Sequence, residues 1–330
     1  MSLNYVFGPV PSWRLGQSLG IDPVPLKTCN WNCVYCQLGR TQPVTMRRSR
    51  YVPEHDLIEE VKAALAADDA DQTDWVTFVG SGETLLHAKI GWMLREVKAL
   101  TDKPVAVITN GSLLSQPYVR WELAVADAVL PSLDVGTAEL YGRINRPHRG
   151  VTFERHVDGL ARFRDEYNGK LWIEVMLLKG LNDGDRALTD TASQLKRVRP
   201  DEIHINGPSR SPVEPWVECP DADSVMRAAK VFESIARVRV AHAAAGAFEL
   251  ANGESVLDSA IQILTRHPMS HADLERTLEH WAPNRVHGLL AQLNECGRTQ
   301  KVLRGGVEYW VAAETHFPDV PEHHTTAAGV

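Results

Sequence analysis

Runs of β-branched residues alternate with helix-period stretches over roughly the first 205 residues, and nothing else in the chain narrows its fold so far. Strands separated by helical crossovers must pair in parallel. The runs predict strands at Leu19–Val24, Trp75–Val79, Pro104–Thr109, Ala128–Leu133, Leu171–Leu178 and Glu202–Asn206. A helix is expected from Pro53, as its first residue, with Leu57, Ile58, Val61, Ala64 and Leu65 on one face. Others are expected at Ile90–Leu100, Phe153–Tyr167 and Arg186–Val198. Six strands, each followed by a crossover, predict an α/β fold, a partial (β/α)6 barrel. Ligands then collect at the C-terminal ends of the strands.

After Asn206 the proline-rich segment GPSRSPVEPWVECPDAD reads as a substrate-side loop or linker. A helix at Ser224–Arg237 and a strand around Val238–Val240 complete a first domain over residues 1–245. Residues 255–313 follow a different pattern. A helix at Ser255–Thr265 stops at Pro268, and Ser270 caps a second with Asp273 at the third helical position. Pro283 is expected to open a third, Asn284–Glu295, which Gly297 ends. Two alternating strands around Gly305–Gly306 follow. That order reads as a small C-terminal winged-helix domain, with residues 314–330 as a flexible tail.

Composition matters mainly for what it excludes. The chain has 330 residues, 44% hydrophobic and 23% charged, with a formal net charge of −7. A disordered chain and a generally basic nucleic-acid coat are both excluded. No apolar run approaches the ~20 residues that cross a bilayer, and MSLNYVFGPVPSWR lacks the layout of a signal peptide. The expected location is cytoplasmic. Five cysteines, an odd number, do not make a disulfide framework.

Three of those cysteines lie in one motif, CNWNCVYC: Cys29, Cys33 and Cys36, in the loop after the first predicted strand. Three thiolates in one short loop can hold three irons of a [4Fe-4S] cube and leave the fourth iron open. A structural zinc is the competing reading, and it needs a fourth ligand such as His55, Cys219 or Cys296.

Short polar residues and glycines end the following strands. Gly80, Ser81, Gly82 and Glu83 end the second, Thr109 and Asn110 the third, Ser132 and Asp134 the fourth. Glycines there let the backbone approach a ligand closely. Alone, each such strand end also fits a turn former capping the next helix. Glu174 is the only charge inside LWIEVMLL, and a carboxylate there needs a partner or a ligand. Met176 faces either adenine or core. His204 and Asn206 share a face, toward the barrel interior or toward a helix.

The cysteine motif, with Tyr35 before its last cysteine, resembles the radical SAM superfamily. The blocks FGPVPSWRLGQSLGIDPVPLKTCNWNCVYCQLGRT, LPSLDVGTAELYGRINRPHRG and LWIEVMLLKGLND resemble its branch related to wyosine (tRNA) synthases, over roughly residues 5–240. The resemblance implies that the open iron chelates S-adenosylmethionine (SAM). Reductive cleavage then gives a 5′-deoxyadenosyl radical that abstracts hydrogen from a substrate. It assigns Gly80, Ser81, Gly82 and Glu83 to the SAM ammonium group and Glu174 to the ribose. Tyr35, Asn110, Ser132 and Asp134 complete the expected cofactor contacts. It also implies an electron donor such as flavodoxin or ferredoxin. Two positions depart from the branch's pattern: Trp13 stands where an arginine is expected, and Thr84 where a proline is expected. No second cysteine cluster supports an auxiliary iron–sulfur centre.

Two basic groups, Arg47, Arg48 and Arg50, and Arg143, Arg146, His148 and Arg149, fit either an anionic substrate or a solvated rim. Residues 255–313 hold six bases and six acids, so they attract phosphates weakly. Sequence-specific DNA binding is not expected of them. They are expected to dock an unidentified substrate or partner: RNA, peptide, protein or small molecule. The alternative to an enzyme is an iron–sulfur or zinc sensor that regulates transcription through the winged helix.

Overall fold

The computed structural model describes residues 5–67, 72–241, 248 and 255–319. The chain opens with an antiparallel hairpin, β1 (Val6–Ser12) and β2 (Gly16–Ile21). Helix α1 (Glu54–Leu65) leads to β3 (Trp75–Phe78), and α2 (Ile90–Leu100) to β4 (Val105–Thr109). Short α3 (Pro117–Leu123) precedes β5 (Ala128–Pro131). Helices α4 (Ala138–Ile144) and α5 (Phe153–Glu166) precede β6 (Lys170–Met176), and α6 (Asp185–Val198) precedes β7 (Glu202–Asn206). Helix α7 (Ala222–Phe232) and β8 (Arg237–Val240) complete the unit.

The strands form one sheet in the order β1 to β8, parallel from β2 onward. This is the expected α/β partial barrel, with two strands at its ends beyond the six anticipated for the barrel. The strand β1 escapes prediction because Pro9 and Pro11 interrupt its pattern. A proline is tolerated on an edge strand, where its missing N–H breaks no ladder, and β1 pairs only with β2. The next strand runs 16–21 rather than 19–24, since Pro23 and Pro25 cannot donate to a ladder. Pro53 caps α1 instead of opening it. The helix expected over 224–237 runs from Ala222 to Phe232, because Asp221 accepts the Ser224 N–H and caps it early.

Alternation along the strands separates two faces. Val105, Val107, Val129, Leu171, Ile173 and Val175 are buried with Leu57, Ile90 and Leu160 of the helices. Ala106, Ala128, Leu130 and Trp172 face the concave side, where Leu15 of the β1–β2 turn plugs the floor. Glu174 is in register with His204 and shares the concave face with Trp172. His204 therefore points into the barrel, its ring 5.2 Å from Trp13 and 5.5 Å from Trp172. The β1–β2 turn also reaches the far edge, where Arg239 of β8 donates to the Trp13 carbonyl at 3.2 Å.

Helix α8 (Val256–Arg266), β9 (Met269–Ser270), α9 (His271–Trp281), α10 (Val286–Glu295), β10 (Thr299–Arg304) and β11 (Val307–Ala312) form a second unit. Its sheet runs β10-β11-β9, and its core holds Leu264, Leu274, Leu278, Leu289, Leu293 and Trp310. Ser255 and Ser270 cap α8 and α9. Arg285, not Pro283, stands at the start of α10.

The expected tail needs correction at its start. Thr315 is buried, Gln300 donates to its carbonyl at 2.6 Å, and Arg304 donates to the Pro318 carbonyl at 2.7 Å. Residues 320–330 of that tail lie outside the described residues. Among the described residues no helix is long and apolar enough to cross a membrane.

Candidate active site

The cysteine loop leaves β2 and is fastened at once to the end of β3. Lys27 N donates to the Ser81 carbonyl at 2.7 Å, and Glu83 N to the Thr28 carbonyl at 2.8 Å. A Cβ on Gly82 would stand 2.0 Å from the Thr28 oxygen, so only glycine allows this approach. Asp22 braces the same segment, taking hydrogen bonds from Ser81 N at 3.0 Å and Ser81 Oγ at 2.5 Å.

A cavity of about 160 Å³ results, lined by Cys29, Trp31, Cys33, Tyr35, Gly80, Gly82, Glu83, Asn110 and Ser132 among others. The loop cysteines and the ends of three strands, expected to act together, thus share one cavity. Gly80 and Gly82 line it with no backbone partner on their carbonyls among the described residues. The Ser81 carbonyl is already taken by Lys27.

Other expected ligands are committed to neighbours. Glu83 accepts from Thr109 Oγ1 at 2.5 Å, Leu85 N at 3.0 Å and Asn110 N at 2.7 Å, tying β3 to β4. Burial holds its carboxyl above the ordinary value against those three bonds. Asp134 is equally enclosed. It accepts from Tyr35 Oη at 2.6 Å, Asn145 Nδ2 at 2.6 Å and Met176 N at 2.9 Å. It therefore clamps Tyr35 of the cysteine loop to β6. Burial raises its carboxyl, and the same donors pull it back.

Glu174 has a protein partner, Arg14, which enters from the floor turn, and Asn206 Nδ2 lies 3.4 Å from the same oxygen. Arg14 stands beside Trp13, so a guanidinium does reach the mouth from this turn. Ser132 keeps its place through its carbonyl, which receives His156 Nε2 at 3.0 Å. Burial pushes His156 down to about 4, so its ring is neutral at physiological pH.

Sequence reasoning missed three residues around the sulfurs, Lys27, Asn30 and Asn145. Lys27 Nζ lies 3.0 Å from Cys36 Sγ, Asn110 Nδ2 3.9 Å from Cys29 Sγ, and Asn145 Nδ2 3.8 Å from Cys33 Sγ. Asn30, fully buried, accepts from Asn110 at 2.7 Å and donates to Ser112 at 2.8 Å. Asn110 had been singled out for SAM, whereas Lys27, Asn30, Asn145 and Asp22 were overlooked. For Lys27, Asn30 and Asn145 the signal was an amide or amine within two residues of Cys29, or inside RINRPHRG, which was read only for its arginines and His148.

The donor set distinguishes a cluster from a single ion. Burial pushes the Cys29 thiol up to about 12 and the Cys33 thiol well above its ordinary value, with Glu83 and Asp134 adding to the effect. Such thiols keep their protons until a metal replaces them. Among the described residues no three His, Cys, Asp or Glu side chains are grouped as one ion requires. His55 packs on Trp92, Cys219 donates to the Pro208 carbonyl, and Cys296 donates to the Leu293 carbonyl. The residues therefore fit a cube, whose irons occupy separate corners, better than a zinc.

The basic groups are partly spent. Arg48 binds the Leu85 and His87 carbonyls and Glu122, and Arg50 pairs with Glu54. Arg146 joins Arg40 on Glu214, at 2.5 and 3.0 Å.

Comparison with known proteins agrees with this geometry. The chain belongs to the radical SAM superfamily, enzymes that use a [4Fe-4S] cluster and SAM, whose family model matches residues 24–192. Within it the chain groups with the UPF0026 proteins. It is 31% identical to one from Methanocaldococcus jannaschii, over 84% of this chain and 86% of that one. It is also 34% identical to a Brachyspira hyodysenteriae protein named GTPase Obg, over 92% of this chain but only 44% of that protein's length. A radical SAM methyltransferase from Sphaerobacter thermophilus shares the fold, with a TM-score of 0.54 and 18% identity, over 68% of this chain and 66% of that one. These relatives lend no support to a transcriptional regulator.

Proposed function

We propose that this protein reductively cleaves SAM to a 5′-deoxyadenosyl radical, which abstracts hydrogen from a substrate held in the barrel mouth. One observation carries the reading: the cysteine loop and the glycine-rich end of β3 share one cavity, whose lining residue Ile108 packs on the apolar cluster of Leu15, Leu130 and Trp172. When bound, the cluster and SAM supply the electron and the radical. The protein's own residues do the rest. Cys29, Cys33 and Cys36 hold the cluster, and Lys27, Asn110 and Asn145 offer N–H groups to their sulfurs, which favours added negative charge. The carbonyls of Gly80 and Gly82 are placed to receive an ammonium group. The apolar floor excludes water, which would otherwise quench reactive species.

The order of elements in the C-terminal unit, three helices with a three-stranded sheet, supports a winged helix. Its neutral charge supports a docking role rather than DNA reading. The placement beside the wyosine synthases rests on the sequence blocks alone. Five free cysteines support a reducing, cytoplasmic location. For the electron donor, a flavodoxin or ferredoxin, we propose the groove lined by Gly142, Arg143, Arg146, Leu181 and Trp216. It lies on the segment whose Ile144 carbonyl accepts Val34 N of the cysteine loop.

The test is anaerobic reconstitution with iron and sulfide, then dithionite and SAM. Formation of 5′-deoxyadenosine by the native protein, and none by Cys33→Ala, is the expected result. A native protein that takes up four irons yet leaves SAM intact overturns the proposal.

A further inference from the structure

One guanidinium group near the barrel mouth has only neutral hydrogen-bond partners among the described residues, that of Arg210. Three guanidinium groups approach the mouth from three segments. Arg14 rises from the β1–β2 turn, Arg210 follows β7, and Arg266 ends α8. Arg14 pairs with Glu174, and Arg266 Nε lies 3.0 Å from Asp22 Oδ2. Arg210 pairs with no carboxylate among the described residues. Its Nη1 instead lies 3.1 Å from Gln37 Oε1 and 3.0 Å from His267 Nδ1, both neutral partners.

The three residues form one assembly. Gln37, which follows Cys36, also donates to the Arg266 carbonyl at 3.2 Å. Burial and the nearby Arg14 both act against the charge on Arg210, and Asp273, which acts in its favour, is itself engaged by Ser270 and Arg276. Burial, with Arg210 and Arg266 adding to it, holds His267 well below its ordinary value, so its ring adds no charge. Unused donors accumulate here. Arg14 Nε and His267 Nε2 are buried without a hydrogen-bond partner. A half-buried guanidinium whose only partners are a neutral amide and a neutral ring is costly unless an anion arrives.

We infer that Arg210 and Arg14 receive an oxyanion of the substrate, a carboxylate or a phosphate group, in the mouth of the barrel beside the cysteine loop. Guanidinium forks match both groups and hold them in a fixed orientation. The substrate class is therefore a molecule or residue bearing such a group near the carbon that loses hydrogen. Arg14 contributes while remaining paired with Glu174, and Gln37 and His267 are positioning residues that aim Arg210. The inference rests on the proposed function, because it takes the mouth as the reaction chamber.

The experiment uses the full chain, reconstituted and saturated with SAM, so that the SAM carboxylate cannot be the anion measured. Thermal unfolding is followed while inorganic phosphate or acetate is titrated against a chloride control at equal ionic strength. Saturable stabilisation by either anion is expected, and the stronger of the two names the source. Arg210→Gln should weaken that binding at least about tenfold, the usual consequence of losing a charge-assisted hydrogen bond. Arg210→Lys, which keeps the charge and loses the fork, should fall between. Arg186→Gln, at a side chain 97% exposed, should bind as the native protein does. No stabilisation by either anion, equal binding by native protein and Arg210→Gln, or binding that disappears as SAM is raised would overturn the inference. If Arg210→Gln fails to take up its cluster, the Lys variant decides: undiminished binding there overturns the fork, weakened binding supports it. Absence of 5′-deoxyadenosine from reduced native protein would count against the enzyme reading alone, since the anion titration reads no turnover.

Discussion

Gly82 and Gly80 look alike in sequence and should respond differently to the same change. An alanine at 82 drives its Cβ into the Thr28 backbone, 2.0 Å from the oxygen, and neither strand end nor cysteine loop can yield cheaply. At 80 the nearest atom is the tip of Val24, at 2.9 Å, a side chain able to turn. Gly82→Ala should therefore abolish cluster uptake and SAM binding together. Gly80→Ala should keep the cluster and weaken SAM several-fold. Iron content and equilibrium SAM binding separate the two, and equal losses would contradict the geometry. Among the cysteines, Cys29→Ala, Cys33→Ala and Cys36→Ala should each lose the cluster, whereas Cys219→Ala should retain it, since Cys219 turns to the Pro208 carbonyl. Loss of iron from Cys219→Ala would mean a fourth protein ligand and remove the open iron. At this scale the cysteines and glycines were legible because their chemistry is written in residue type and spacing. Glu83, Asp134 and Glu174 were only half legible for a physical reason: a buried carboxylate announces that it needs a partner, and not which protein groups supply one. Here the partners are Thr109 with backbone N–H groups, Tyr35 with Asn145, and Arg14.

Elements carry a second kind of information. The parallel strands were readable as strands because burial on both faces makes them continuously apolar, and their predicted ends fall within a few residues of those observed. The edge strand β1 was not, since its prolines hide a pairing made on one side only. The loops that join elements were the least legible. Arg40 and Arg146, far apart in sequence, converge on Glu214 after β7 and bind the cysteine loop to the segment after α4. Burial alone would raise the Glu214 carboxyl, but the two guanidinium groups hold it below its ordinary value. A depressed pKa in the folded state gives stability that is present above the unfolded value and lost as pH falls through the folded one. Thermal stability should therefore decline from about pH 5 downward. In Glu214→Gln that part of the acid decline should vanish, with lower stability at neutral pH. Melting curves of the two proteins that run parallel between neutrality and the acid limb would show that the triad does not couple to folding.

For the whole molecule, sequence suggested two domains, with every expected SAM contact in the first, residues 1–245. The structure joins them. Arg304 of β10 donates to the Pro212 and Val213 carbonyls of the barrel loop at 3.0 and 3.2 Å, and Arg40 N of the cysteine loop donates to the His316 carbonyl at 2.8 Å. Gly39, at φ +82°, leaves room for that passage, because a Cβ there would stand 2.8 Å from the His316 oxygen. No periodicity or motif reveals such a seam, which depends on carbonyls meeting one guanidinium across some 90 residues of chain. Its consequence reaches the cavity through Arg266, which packs over the Phe7 ring and clamps Asp22, while Asp22 holds Ser81 by two hydrogen bonds. The C-terminal unit thereby braces the glycine segment without lining it. Arg266→Ala should leave cluster content unchanged and weaken SAM binding by about 0.5–2 kcal/mol, the range expected when a packed network shifts a site it does not touch. Asp22→Asn should produce a loss in the same direction, and the two losses combined should fall short of their sum, since both remove one link. Full SAM affinity in folded Arg266→Ala, or strict additivity in the double variant, would show that the two units merely adjoin.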